Sequence, residues 1–139
     1  MKKLLIISIS IMIVLALSSS VMAKAVNLEL PQFDLIDPLE TGLGKVILNN
    51  PSGEINFVVQ VNIKGAQIDH TYVVWIYYGS GSWINLGELL TNAVGNGSFH
   101  LNMTLPEATL TGIIVALNEV VPFNHRQYSS DPSGEIVIK

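Results

Sequence analysis

The chain has 139 residues, with seven Lys or Arg against eleven Asp or Glu and no Cys. The missing Cys excludes disulfides, thiol catalysis and cysteine-based metal or iron–sulfur sites. The acidic balance argues against nucleic acid and anionic membrane surfaces, both of which select clustered Lys and Arg.

Lys2 and Lys3 precede a mostly apolar run from Leu4 to Leu17, broken by Ser8 and Ser10. Ser18 to Ser20 and Val21-Met22-Ala23 follow, ending on a small residue. This is the three-part pattern of a secretory signal peptide over residues 1–23. The run is shorter than the ~20 apolar residues of a spanning helix. The expectation is therefore cleavage after Ala23, with membrane contact only before cleavage. Removing Lys2 and Lys3 leaves five basic residues against eleven acidic ones, a formal charge of −6. The expected location is secreted, extracellular or in the cell envelope.

Residues 24–43 carry two Pro and several acidic or amide side chains, which argues against a central strand. They read as a linker, or as an edge strand around Val26 to Leu30. From residue 44 to 139 the dominant pattern is alternation with period two. Lys45 to Leu48 is a short strand. Asn50-Pro51-Ser52-Gly53 turns into Ile55 to Lys64, where odd positions are apolar and even positions mostly polar. Thr71 to Tyr78 is β-branched and aromatic on both faces, as a central strand would be. Trp83 to Leu90 is interrupted by Gly87, which predicts a bulge. Ser98 to Leu105 alternates again, with Phe99, Leu101, Met103 and Leu105 on one face. Thr111 to Leu117 is apolar, and Glu135 to Lys139 closes the domain. No segment holds a helical period with caps. About seven short strands with turn signals between them predict one antiparallel all-β sandwich, with a small closed barrel as the other solution.

Pro51-Ser52-Gly53-Glu54-Ile55 recurs as Pro132-Ser133-Gly134-Glu135-Ile136. Both copies lead a turn into a strand, with Pro fixing φ and Gly supplying φ > 0. The echo ends after five residues, so no duplicated domain is inferred.

The stretch Asn62-Ile63-Lys64-Gly65-Ala66, then Thr71-Tyr72, Leu86-Gly87, Thr91-Asn92-Ala93, Gly95-Asn96-Gly97 with Phe99, and Leu105-Pro106, resembles exported immunoglobulin-like β-sandwich domains of microbial secreted and surface proteins. The resemblance runs from Gly44 to Leu117 and rests on turn and core residues. It implies fold and export, not chemistry. The cysteine pair of antibody-type domains is absent.

Such a domain would use TNAVGNGSFH, residues 91–100, as a hairpin connection, with Gly95-Asn96-Gly97 tolerating φ > 0. A calcium loop needs carboxylates at alternate positions, and none lies between Leu89 and Leu105. Asn96-Gly97-Ser98 and Asn102-Met103-Thr104 both fit the N-glycan acceptor triplet, making Asn96 and Asn102 candidate modification sites.

Candidate chemistry is sparse. His70, His100 and His125 could hold a metal only if the fold gathers them, since no paired-His spacing occurs. Surface or turn histidines are the commoner reading. Ser80 and Ser82 lie in the wrong frame for a nucleophile elbow. Asp34, Asp37 and Glu40 stand three apart beside Pro38, where a helix is disfavoured. The Gly-rich stretches join strands to strands, and a phosphate cradle needs a helix N-terminus. No catalytic residue and no cofactor is assigned.

Trp75, Tyr77, Tyr78 and Trp83 fall on one predicted hairpin. An exposed row of Trp75, Tyr77 and Trp83 could stack on sugar rings, whereas buried rings would be core. The first functional expectation is a non-catalytic structural or adhesive module of the cell surface or envelope. The second is a carbohydrate-binding module using those three aromatics. The third is a metal-dependent enzyme through the histidines. The partners expected are a polysaccharide, an envelope protein or, through weakly defended edge strands such as Glu135 to Lys139, a second copy.

Overall fold

The computed structural model describes residues 25–32, 42–51, 53–78, 81, 83–118 and 128–138. Period-two alternation becomes strands throughout: β1 (Val26–Pro31), β2 (Leu43–Asn49), β3 (Phe57–Lys64), β4 (Thr71–Tyr77), β5 (Ile84–Leu90), β6 (Gly97–Met103), β7 (Ala108–Leu110), β8 (Ile114–Asn118), β9 (Tyr128–Ser129) and β10 (Ile136–Ile138). No helix occurs among the described residues.

Two four-stranded antiparallel sheets hold most of the strand residues, one in the order β1-β2-β3-β6 and the other β5-β4-β8-β9. Each turns one apolar row inward. Val46 and Leu48 of β2 meet Phe57, Val59, Val61 and Ile63 of β3. From the second sheet come Tyr72, Val74 and Ile76 of β4, with Val115 and Leu117 of β8, all in one core cluster. Burying side chains of this size stabilises by about 1.5–3 kcal/mol each. That gain replaces the disulfides this chain cannot form. The result is a β-sandwich-like domain.

The margins of the two sheets are joined. An isolated bridge between Thr91 and Gly97 links β5 to β6, and another between Gln32 and Tyr128 links the end of β1 to β9. The sandwich thereby acquires a barrel-like closure, combining the two solutions that the alternation allowed.

Gly87 has φ +135° beside the register shift between Val74 and Trp75, so the expected bulge is present. Val26–Pro31 is an edge strand, with Leu30 fully buried. Three differences from the sequence reading stand out. The described residues form ten strands, against about seven expected; β7 and β9 have three and two residues, too short to show alternation. The paired Pro-Ser-Gly-Glu-Ile segments are not conformational copies: Gly53 has φ +133°, while Gly134 is not in the positive-φ region. In the turn before β6 only Gly95 has positive φ, not Asn96 or Gly97.

The second copy of that segment has a different task. After β9 the chain runs on beside β8 with Pro132 in its path, and Pro cannot donate to a ladder. Serine hydroxyls act as the acceptors instead. Ser130 N donates to Val115 O (2.9 Å), and Val115 N donates to Ser130 Oγ (3.0 Å). Ser133 N donates to Ile113 O (2.8 Å), and Ile113 N donates to Ser133 Oγ (3.1 Å).

Candidate functional site

The β4–β5 hairpin carries the aromatic candidates. Even positions of β4 enter the core, so Trp75 and Tyr77 share its other face. Trp75 lies in register with Asn85 of β5 and Ala116 of β8. It retains only 8% of its surface, and its neighbours Ala116 and Asn118 are buried as well. β4 and β8 are therefore covered on both faces, as the continuous apolar run of β4 required. Tyr77 and Trp83 are half-buried, with ring centroids 5.5 Å apart and planes tilted by 38°. Tyr77 and Trp83 thus keep part of their ring surface exposed, and Trp75 very little.

The turn at residues 91–97 is organised by one side chain. Asn92 Oδ1 accepts from the backbone N–H groups of Val94 and Asn96, both at 3.0 Å. Its backbone exchanges bonds with Asn96 and Gly95. Gly95, at φ +73°, donates to Asn92 O and accepts from Ala66 N (3.0 Å). A Cβ there would collide with the Ala66 carbonyl oxygen. Thr91 Oγ1 sits behind the turn, donating to Gln67 O (2.6 Å) and accepting from His70 N (2.9 Å). This is a fully hydrogen-bonded turn, and the Asn92 oxygen is committed to backbone donors.

His70 packs edge-on against Tyr72, with centroids 4.7 Å apart, at the entrance to β4. His100 lies on the exposed face of β6, its Nε2 3.0 Å from Asn102 Oδ1. His125 lies outside the described residues, as do residues 1–23, where a signal peptide is expected, and Asp34, Asp37, Glu40, Ser80 and Ser82. Among the described residues no three His, Cys, Asp or Glu gather as a metal site.

The two glycan triplets differ. Asn102 and Thr104 are both engaged, Asn102 with His100 and Thr104 Oγ1 donating to Glu54 O (2.6 Å). Asn96 is exposed on the turn, and its backbone, not its amide, makes the bonds described.

The sequence reading missed a groove of about 330 Å³ beside β7. Tyr78, Leu105, Pro106 and the consecutive residues Ala108 to Thr111 line it. The Tyr78 hydroxyl is buried without a hydrogen-bond partner, and desolvation raises its pKa above the ordinary 10.0. The only advance signal was Tyr78 itself, at the end of an aromatic strand and next to a Gly.

The chain matches no known protein family, no curated protein and no solved structure. Function must be argued from the site alone.

Proposed function

We propose that this protein is a non-catalytic, exported interaction module of the cell surface or envelope, built as an immunoglobulin-like sandwich. The observation that carries the reading is where the buried polar side chains point. Asn56 brackets Leu105, its Nδ2 donating to Leu105 O and its Oδ1 accepting from Leu105 N, both at 2.8 Å. Thr91, Ser130 and Ser133 bind backbone groups in the same way. These polar groups fix loops and strand ends, which suits a rigid scaffold that presents surfaces.

The strand order supports the immunoglobulin-like assignment. Read as A, B and E, strands β2, β3 and β6 make one sheet; read as C′, C, F and G, strands β5, β4, β8 and β9 make the other. Variable-type immunoglobulin domains likewise set a C′ strand beside C. β1 extends the first sheet beyond A.

Export rests on the signal-peptide pattern of residues 1–23. Fractionating the producing cell and sequencing the mature N-terminus tests it. The expected N-terminus is Lys24, outside the cytoplasm; a full-length cytoplasmic chain would refute the reading.

A carbohydrate-binding role is a second reading, favoured by the half-exposed Tyr77–Trp83 pair. Tryptophan fluorescence titrated with soluble polysaccharides separates the two. A saturable shift lost in Trp83→Ala supports sugar stacking, and an unchanging spectrum refutes it.

A further inference from the structure

We propose that the outer edge of β7 and the groove beside it bind an extended peptide segment of a partner protein by strand addition. This deepens the interaction-module reading and rests on it. The peptide places one apolar side chain in the groove and carries a basic residue to either side.

Pairing leaves β7 half-used. Among the described residues it pairs only with β10, through Ile136–Leu110, Val137–Thr109 and Ile138–Ala108. In an antiparallel pair alternate residues turn their N–H and C=O groups away from the partner. Asn50 Nδ2 donates to Val137 O at 2.6 Å, from outside the two-stranded ribbon. That draws the Val137 carbonyl out of the ladder and makes Val137–Thr109 the wide pair. Thr109 then directs its donor and its acceptor to the free edge of β7. The same Asn50 contact occupies the Val137 carbonyl on the outer edge of β10, whereas the groove lies beside β7.

The groove lies along the free edge of β7. Four consecutive residues, Ala108 to Thr111, line it. Successive strand residues point to opposite faces, so a cleft touching all four follows the strand's side and not one of its faces. Leu105 and Pro106 make the floor apolar. Main-chain pairing with a neighbouring side-chain pocket is the recognition mode of strand-addition domains.

Two arguments choose the occupant. Exposed Glu107 directly precedes β7, and exposed Glu135 directly precedes β10, so a carboxylate stands at each end of the ribbon. No Lys or Arg lines the groove. The complement is a peptide with Lys or Arg flanking an apolar centre. A second copy of β7 fits less well, because its only large apolar side chain, Leu110, already lines its own groove.

The test uses the chain as recovered from its producing cell, isotope-labelled. The probe is a blocked heptapeptide of threonines with a central leucine and a lysine two residues to either side. Expected are saturable NMR shifts at the amides of Thr109 and Leu110. N-methylation of the leucine nitrogen should weaken binding at least tenfold, as should replacing leucine by glycine. Tyr78→Phe should weaken it severalfold, because the hydroxyl can donate to a peptide carbonyl once the groove is filled. Three outcomes would overturn the proposal. One is no shift at millimolar peptide. Another is equal binding of the N-methylated peptide, which would leave a groove without strand addition. The third is shifts at Thr109 on concentrating the protein alone, which would give the edge to a second copy. None of these bears on where the chain is located, so a failure here is separable from failure of the export reading.

Discussion

Replacing Ser133 by alanine removes one oxygen and leaves the backbone path open. The hydroxyl is the acceptor for the buried N–H of Ile113, at 3.1 Å, and Ser133 is 7% exposed. Alanine offers no acceptor, and little room exists for water to replace it. A buried donor left unsatisfied costs about 1–3 kcal/mol. Ser130→Ala does the same to Val115 N and should cost a similar amount. Against a total stability of roughly 5–15 kcal/mol, either loss is large. In a domain of this size each kcal/mol shifts Tm by roughly 4 °C, so the expected fall is about 4–12 °C per substitution. Urea unfolding gives the free energy, and hydrogen exchange at the Ile113 and Val115 amides localises it. Ser129→Ala is the control. It is buried too, but its hydroxyl makes only a 3.5 Å contact with the Ser130 carbonyl. Its cost should stay below about 0.5 kcal/mol. If Ser129→Ala costs as much as Ser133→Ala, or if the Ile113 amide keeps its protection in Ser133→Ala, the hydroxyls are not completing the ladder and the reasoning fails.

Gly95→Ala forces a side chain into a positive-φ position and against the Ala66 carbonyl; thermal unfolding should show a loss above about 2 kcal/mol, whereas the open Gly53 should tolerate alanine better. Tyr78→Phe removes a buried hydroxyl without a partner and should raise stability by about 1 kcal/mol in urea unfolding. The raised Tyr78 pKa adds a pH signature. Its contribution is fully present below pH 10 and is lost as pH rises from 10.0 through the higher folded value. Tyr78→Phe should therefore lose less stability than the parent across that alkaline window. Expressed in a glycosylating host, the chain should carry any N-glycan on Asn96 in preference to Asn102, as peptide mass mapping will show. The reverse preference would contradict the role given to the Asn102–His100 and Thr104–Glu54 contacts.

The long strands were legible because period two is written in residues such as Phe57, Val59, Val61 and Ile63, which all enter the core. Gly87 announced its bulge for the same reason: a residue without a side chain interrupts a packed row. What stayed hidden was short or non-local. β7 and β9 are too brief to alternate, and β7 pairs with β10, beyond two intervening strands. The shared Pro-Ser-Gly-Glu-Ile wording suggested one conformation, yet Ser133 is claimed by Ile113, twenty residues earlier. Trp75 and Tyr77 share one face of β4 as the alternation implied, but the burial of Trp75 depends on what packs over that face. The groove depended on β7 and could not be foreseen without it.

The bridge between Gln32 and Tyr128 has a consequence for synthesis. A chain emerging N-terminus first produces β1 well before β9. Until β9 arrives, β1 has β2 beside it but no partner closing its far side, and Tyr128 is missing from the core. Non-local pairing of this kind slows folding. The nascent protein should remain protease-sensitive until β9 is free, then close in one step.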